Sequence, residues 1–199
     1  MGTKDAQKEA LIKETAMRIF FEEGRLHATT QEIADAAGVN RSLIHYYFRS
    51  RDLLLEQVFI EGKQAMHQKI HGVLLEEVDF KTKVSNFLDL FIEQSLKYPY
   101  METFMISQVN RKCDSEQVTF RKDDSELKKV FLGEVQQEIS KGNLKTDCPI
   151  NFMIDLMSLC SYPVLSKPLI KNMFNFNEQN FIDFMSQRKN NILKLVFKE

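Results

Sequence analysis

The sequence predicts an all-α protein built from two units, and three observations favour this fold class. The chain has 199 residues but only seven Gly and four Pro, which do not cluster. Apolar side chains recur at intervals of three and four residues, a spacing that gives a helix one apolar face. Runs that alternate apolar and polar residues, the pattern of half-buried strands, are absent from the sequence. We expect a first unit at residues 1–50 and a larger helical unit at residues 51–199.

The first helix is predicted near residues 5–23. Its apolar stripe consists of Ile12, Ala16, Ile19 and Phe20. Because these positions are spaced i, i+4, i+7 and i+8, they fall on one side of a helix. Gly24 follows the last turn, where a helix often ends in a left-handed residue.

Two short helices are predicted next, near residues 30–37 and 41–47. Thr29 and Glu32 have the spacing of a capping box at the start of the first of them. Gly38 is suited to end that helix, and Asn40 is a favourable N-cap for the following one. The two helices are thus joined by a tight glycine turn.

The second short helix combines an apolar inner face with a polar and aromatic outer face. Ile44 and Phe48 are four residues apart, so they share the inner face. The side chains left on the outer face are Arg41, Ser42, His45 and Tyr46. Together with the preceding helix and turn, this arrangement predicts a helix-turn-helix that reads DNA, in a three-helix domain of about 50 residues.

The same residues resemble a known family. The stripe Ile12…Ala16…Ile19-Phe20…Gly24 is followed by Thr-Thr-x-x-Ile-Ala, Ala-Gly-Val-Asn and His-Tyr-Tyr-Phe-x-Ser-Arg-Asp-Leu. This combination resembles the N-terminal domain of tetracycline-repressor (TetR) type regulators and covers about the first quarter of the chain. The resemblance implies a dimeric, ligand-responsive transcriptional regulator, in most cases a repressor, that binds a pseudo-palindromic operator in double-stranded DNA.

The expected DNA contacts lie between residues 29 and 51. They are Thr29, Thr30, Gln31, Asn40, Arg41, Ser42, Leu43, His45, Tyr46, Tyr47 and Arg51. Arg41, Ser42 and Leu43 are nearest the bases if the N-terminal end of the second helix enters the major groove. Arg41 could donate two hydrogen bonds to guanine or pair with a phosphate, and the sequence leaves both open.

The resemblance suggests roles for several of the other contacts. It implies phosphate contacts from Thr29 and Thr30, and Gln31 could reach an adenine. The hydroxyls of the two tyrosines and the imidazole of His45 could donate to phosphate oxygens. Leu43 stands where the family often has a base-contacting threonine, so only an apolar contact is expected there. Arg51 replaces the usual lysine and is expected to bind a phosphate.

The net charge of the chain is −1, which is low for a protein that binds DNA. The cations are nevertheless concentrated locally, because no acidic residue lies between Asp35 and Asp52 while Arg41, Arg49 and Arg51 do. A local basic patch is sufficient for phosphate binding, since affinity depends on where cations meet the backbone.

Further helices are predicted near residues 51–76, 81–97, 100–111, 124–141, 150–170 and 178–197. Pro163 and Pro168 are expected to kink or end the helix that begins near residue 150. The charged stretch 111–124 has little periodicity, which indicates a solvated loop or a helix end.

The resemblance also implies roles for elements of the second unit. The helix near 51–76 would transmit ligand-driven movement to the DNA-binding domain, and the last two helices would pair with those of a second subunit. Apolar residues available for this pairing are Phe152, Leu156, Leu159, Cys160, Phe181, Phe184, Met185, Ile192, Leu195 and Val196. From their spacing alone, these residues could equally form the core of a single chain.

The 16 Phe and nine Met residues, most of them after residue 51, suggest either an ordinary core or an adaptable apolar pocket. Candidate residues for an effector pocket are Phe87, Phe91, Met101, Phe104, Met105, Phe131, Met153 and Met157. By resemblance we expect a small apolar effector. The alternative is a DNA-anchored regulator whose second unit binds another protein, with an exposed apolar patch and no internal cavity.

Other function classes find little support. The sequence has no nucleophile elbow, glycine-rich phosphate loop, HExxH motif or plausible triad, so no catalytic residue and no cofactor is expected. Cys113, Cys148 and Cys160 lack the spacing of a zinc site, and we expect thiols without a metal or disulfide role. No 18-residue stretch is free of charge and the N-terminus lacks a signal-peptide core, so we expect a cytoplasmic protein without a membrane span.

Overall fold

Ten α-helices make up most of the computed structural model, which describes residues 3–111 and 122–198. In chain order they are α1 (Thr3–Met17), α2 (Thr30–Ala37), α3 (Arg41–Phe48), α4 (Arg51–Leu74), α5 (Phe80–Lys97), α6 (Met101–Arg111), α7 (Lys122–Ser140), α8 (Pro149–Leu165), α9 (Lys167–Met173) and α10 (Glu178–Val196). The described part contains no strand, and its one isolated β-bridge joins Leu144 to Phe197. The predicted all-α class is therefore confirmed.

The predicted helix that begins near residue 150 differs most from the structure. It is divided at Ser166 into α8 and α9, and Pro163 lies inside α8 without ending it. Proline has no N–H to donate to the carbonyl oxygen four residues earlier, which is that of Leu159. Nη2 of Arg188 on α10 donates to this oxygen instead, at 2.8 Å. Pro168 lies in the first turn of α9, where proline is well tolerated.

The first of three apolar cores joins α1, α2, α3 and the beginning of α4. Its buried members include Ile12, Phe20, Ile33, Ile44 and Leu54. The last residue of this core along the chain is Val58. A wider π-type turn at Arg18–Glu22 continues α1 and buries Ile19, Phe20 and Phe21.

The second and third cores lie in the remaining helices. The second is formed by α5, α7, α8 and α10 around Phe87, Val135, Phe152 and Ile192. The third is smaller and is centred on Phe181 and Met185 of α10. Helix α4 contributes to two cores, because its first half packs in the first and its second half packs on the second.

Helix α6 also touches the first core. The backbone N–H of Tyr100, just before α6, donates to the carbonyl oxygen of Phe21 at 3.1 Å. The ring of Phe104 lies 5.6 Å from that of Phe21 and 4.9 Å from that of Phe59. The predicted solvated stretch at 111–124 lies for the most part outside the described residues.

Candidate nucleic-acid interface

Helices α2 and α3 are held by local caps at their ends. The Thr29 hydroxyl accepts from the backbone N–H of Glu32, and the Glu32 carboxylate accepts from the backbone N–H of Thr29, at 3.3 and 2.7 Å. Gly38 ends α2 in the left-handed conformation, with φ of 64°. The Asn40 side chain then caps α3 by accepting from the backbone N–H of Ser42 at 3.0 Å. The predicted helix-turn-helix is present, with a tight turn between its helices.

The outer face of α3 is polar and accessible, as its sequence pattern predicts. Ile44 and Phe48 are buried, whereas Ser42 and His45 are exposed. Tyr46 is 71% exposed although it is a large aromatic residue, and its ring meets that of Tyr47 edge-on at 5.0 Å. An exposed tyrosine hydroxyl is a suitable donor to a phosphate oxygen.

Arg41 is joined to Thr30 across the two helices. Nε of Arg41 donates to the Thr30 hydroxyl oxygen at 3.0 Å. Arg41 itself is exposed, but Thr30 is only 7% exposed and lies beneath it. The sequence offered no signal for this contact, because the two residues are eleven positions apart on different helices.

Arg51, at the start of α4, is directed into the protein. Its Nε donates to the carbonyl oxygen of Ala28 at 3.2 Å, and its guanidinium lies 5.5 Å from the centre of the Phe20 ring. Nη1 pairs with the Asp52 carboxylate at 2.6 Å. These contacts fix α4 to the segment that precedes α2, so Arg51 has a structural role at this site.

The other residues expected to contact DNA already make hydrogen bonds or packing contacts within the protein. The Thr29 hydroxyl also donates to the Glu32 carboxylate at 2.8 Å, so its proton is already used in the cap. Gln31 is exposed and donates to Asp35 at 2.7 Å. Leu43 and Tyr47 are half-buried and pack on the first core.

The Glu32 carboxyl at this surface has a lowered pKa. Hydrogen bonds from the backbone N–H and the hydroxyl of Thr29 hold the pKa of Glu32 below its ordinary value, and the ion pair with Arg25 contributes in the same direction. Glu32 is therefore ionised at neutral pH, and its charge is partly offset by Arg25.

The eight candidate pocket residues are spread over two cores and the surface of the described part. Phe87, Phe91 and Phe131 belong to the second core, whereas Met101 and Phe104 pack against the first. Met105 and Met153 are half-buried, and Met157 is 40% exposed. Two cavities of about 560 and 320 Å³ are lined by other residues. The larger is bordered by Asp79, Lys83, Glu134 and Phe197.

The second unit also contains a small interior polar group. The Glu102 carboxyl of α6 lies near Ser161 of α8, and its Oε2 is buried without a hydrogen-bond partner among the described residues. Burial raises the pKa of Glu102 above its ordinary value. Burial likewise raises the pKa of the nearby Cys160 thiol to about 12, so this thiol is protonated and unreactive at neutral pH.

Metal-binding and membrane-spanning features are both absent from the part of the chain that the structure describes. In the ranges 3–111 and 122–198, no group of three or more His, Cys, Asp or Glu side chains could hold a metal ion. Among the helices of this same part, none has the length and apolar character required to cross a membrane. Cys113 lies outside the described residues.

Comparison with known proteins identifies similar chains. The sequence profile of the family 'Bacterial regulatory proteins, tetR family' matches residues 12–58. The HTH-type transcriptional regulator BetI of Rhizobium meliloti (strain 1021) is 38% identical over 55 residues. This match spans 28% of the present chain and 27% of that relative, or about a quarter of each.

Solved structures extend the likeness in fold to nearly the whole chain. The ketosteroid transcriptional regulator KstR2 of Mycobacterium tuberculosis is similar over 97% of this chain and 96% of its own, with a TM-score of 0.69 and 14% identity. A TetR family regulator from Marinobacter aquaeolei VT8 is similar over 100% of both chains, with a TM-score of 0.60 and 14% identity. At this level of identity the likeness concerns the fold alone.

Proposed function

Residues 12–58 match the tetR family of bacterial regulatory proteins, and on that premise we propose that the chain is a repressor. It binds a pseudo-palindromic operator as a homodimer and releases it when a small apolar effector binds. The observation that carries the DNA-binding part is the outer face of α3. It presents Ser42, His45 and a Tyr46 side chain that is 71% exposed, directly after a capped glycine turn. Such a helix fits the major groove, where base edges can be distinguished.

The electrostatics of this surface support the proposal. Arg41 and Arg49 are exposed at the two ends of α3, and no acidic residue lies on α3 itself. Cations placed on the helix that approaches DNA release counterions from the phosphates, so binding is expected to weaken as salt rises. A net charge of −1 for the whole chain does not oppose this local effect.

A binding titration with the DNA that flanks the gene tests this part. We expect the purified protein to give a discrete complex that survives competitor DNA. The double variant Arg41→Ala, Tyr46→Phe should lose this complex. The matched control is Lys129→Ala, which removes an exposed cation from α7 and should bind as the wild type does. Equal, weak binding by all three proteins at low salt only would contradict a site-specific function.

The homodimer is supported by apolar side chains left exposed on α8. Ile150, Ile154 and Met157 are spaced i, i+4 and i+7, and they are 55%, 53% and 40% exposed. Of the ten apolar residues considered for pairing from the sequence, seven are buried inside the single chain. The proposed contact with a second subunit therefore uses other residues of α8.

Two connections support a response to an effector. Helix α6 contacts Phe21 of the first core through Tyr100 and Phe104, and it packs against α8, where Glu102 lies near Ser161. A ligand that binds between α6 and α8 would shift α6 and thereby the first core. Such binding favours a conformation in which the two subunits no longer match the half-site spacing.

The effector part is tested by screening aromatic and aliphatic carboxylates, alcohols and ketones. We expect at least one compound to raise the Tm of the protein and to release it from the DNA fragment. The alternative function is a DNA-anchored regulator that binds another protein. It is favoured if no compound has either effect and a protein binds instead to the exposed apolar residues Leu169, Met173 and Phe174 at α9.

A further inference from the structure

We propose that Thr30 is a positioning residue, which fixes the guanidinium of Arg41 so that it binds a guanine end-on through both of its Nη groups. This inference rests on the proposed function, because it requires that α3 enters the major groove of DNA. It assigns Thr30 a role in selecting the base rather than in contacting a phosphate.

The contact itself has the geometry that such a role requires. Nε of Arg41 lies 3.0 Å from the Thr30 hydroxyl oxygen, within the range of an ordinary hydrogen bond. Thr30 is 7% exposed and is the first residue of α2, whose N-terminus is closed by the Thr29–Glu32 capping box. The Thr30 hydroxyl oxygen is therefore held rigidly, and it fixes the guanidinium plane of Arg41 through Nε, which leaves the two Nη groups out of this hydrogen bond.

Holding Nε in this way restricts how Arg41 can recognise a base. Arginine has five N–H donors, of which four belong to the two Nη groups. With Nε occupied, the side-on pairing that uses Nε and one Nη is no longer available. The end-on pairing through both Nη groups remains, and it matches the O6 and N7 acceptors of guanine. Adenine presents a donor in place of O6, so the same fork rejects it.

The position of Arg41 favours a base over a phosphate. Arg41 is the first residue of α3, and the N-terminal residues of a recognition helix are those that contact base edges. A bidentate contact gains from a fixed guanidinium plane, and the place of Arg41 at the start of α3 directs that plane to a base edge. The hydrogen bond to Thr30 supplies that fixed plane before DNA binds.

The test is selection of operators from a randomised DNA pool, followed by sequencing, with wild-type protein and the Thr30→Ser, Thr30→Val and Arg41→Ala variants. The wild type should select a guanine at one position of each half-site. Thr30→Ser retains the hydroxyl and should keep this preference. Thr30→Val should reduce it several-fold, and Arg41→Ala should abolish a preference of roughly 5- to 150-fold, the range for a good bidentate pair.

Two further readouts separate positioning from a loss of structure. Thr30→Val should show the circular dichroism spectrum and oligomeric state of the wild type. In the Arg41→Ala background, Thr30→Val should not change base preference further, because there is no guanidinium left to position. An additional loss in the double variant would overturn the inference.

Other outcomes would also overturn it. If Arg41→Ala weakens binding to all sequences equally and lowers the slope of log K against log salt by about one, Arg41 binds a phosphate. Unchanged base preference in Thr30→Val would show that Thr30 does not position Arg41. A wild-type protein that selects no sequence at all would overturn the proposed function as well, whereas selection without a guanine overturns this inference alone.

Discussion

Among single-residue contacts, the ring of Tyr100 packs directly against the backbone of Gly24. A Cβ atom placed on Gly24 would lie 2.6–2.8 Å from atoms of the Tyr100 ring, which is closer than real Cβ contacts. The φ of Gly24 is 74°, in the left-handed region that disfavours other residues. Two independent physical reasons therefore disfavour any other residue at this position.

We expect Gly24→Ala to destabilise the protein more than Gly38→Ala does. Gly38 has a similar φ of 64°, but a Cβ atom at that position would have no neighbouring atom within 4 Å. Its replacement should therefore cost only the left-handed strain of about 1–2 kcal/mol. Gly24→Ala adds the steric contact with Tyr100 to the same strain. The free energy of unfolding from urea titrations measures both, and equal losses would argue against the Tyr100 contact.

The Glu32 carboxylate makes the capping box dependent on pH. Its pKa is lowered from an ordinary value of 4.5, first by the Thr29 backbone N–H and then by the Thr29 hydroxyl. A carboxyl whose pKa is lower in the folded state adds stability above its unfolded pKa and loses it as the pH falls through the folded value. The stabilisation is therefore complete at pH 7 and is lost in acid below about 4.5.

Glu32→Gln should consequently be less stable than the wild type at pH 7, and the difference should disappear in acid. Glutamine can still accept from the Thr29 backbone N–H, so the variant removes the charge while it keeps the cap. Thermal unfolding followed by circular dichroism between pH 3 and pH 7 measures the difference. A gap that stays constant over this range would show that the charge of Glu32 does not stabilise the fold.

Local signals predicted the caps, but they did not predict contacts between distant residues. Thr29, Gly38 and Asn40 act on backbone groups within three or four positions, so the sequence alone identifies them. The burial of Thr30 and the inward direction of Arg51 depend on how α2 and α4 pack, and the sequence pattern carries no record of that packing.

At the scale of elements, the helices lie within a few residues of their predicted bounds. Apolar spacing and scarce glycine and proline define where a helix can run, which is why α2 to α5 were predicted closely. The π-type turn at Arg18–Glu22 and the division between α8 and α9 were not predicted. Neither is visible in the apolar spacing, and the carbonyl oxygen of Leu159 that Pro163 leaves free is satisfied by Arg188 from α10.

Helices α5 and α7 are joined by an ion pair with unequal burial. Nζ of Lys83 lies 2.6 Å from the Glu134 carboxylate, and the two side chains are 6% and 32% exposed. Removal of one partner from a fully buried pair costs roughly 3–5 kcal/mol, because the other charge is left uncompensated. The cost here should depend on which partner is removed, since the Glu134 side chain is the more exposed of the two although its Oε2 is buried.

We expect Glu134→Ala to destabilise the protein more than Lys83→Met does. The first change leaves a buried ammonium ion without a counter-charge, whereas the second leaves the carboxylate of the more exposed side chain. The double variant should be more stable than Glu134→Ala alone, because no buried charge remains. Urea unfolding of the three variants measures this order, and the reverse order would show that the ammonium group finds another partner.

For the whole molecule, the exposed apolar side chains of α8 determine the expected assembly. Ile154 is 53% exposed and lies between Ile150 and Met157 on the same side of the helix. This exposed apolar row is the surface that the proposed second subunit would cover.

Ile154→Glu should convert the proposed dimer into a monomer without unfolding it. Because Ile154 is exposed in the single chain, its replacement removes little internal packing. Light scattering after size-exclusion chromatography should show a mass near 23.3 kDa for the variant and twice that for the wild type. Leu75→Glu, which alters an exposed residue beyond the end of α4, is the control. A wild-type monomer would contradict the proposal.

The sequence could not predict which core each Phe and Met side chain joins. Periodicity shows that Phe87, Phe104 and Phe131 lie on apolar faces, but it does not show which helix each face meets. The structure assigns Phe104 to the first core and the other two to the second. Which residues share a core depends on the packing of α6, which contacts both α8 and the π-type turn.

The first core includes Leu54, Leu55 and Val58 of α4 and contacts Phe104 of α6. The first unit predicted from the sequence, residues 1–50, is thus completed by side chains from outside it. A chimaera that takes residues 1–50 from another regulator would place foreign surfaces against these four side chains. Exchange of operator specificity between related proteins is therefore expected to succeed through point changes on the outer face of α3 more readily than through transfer of the whole module.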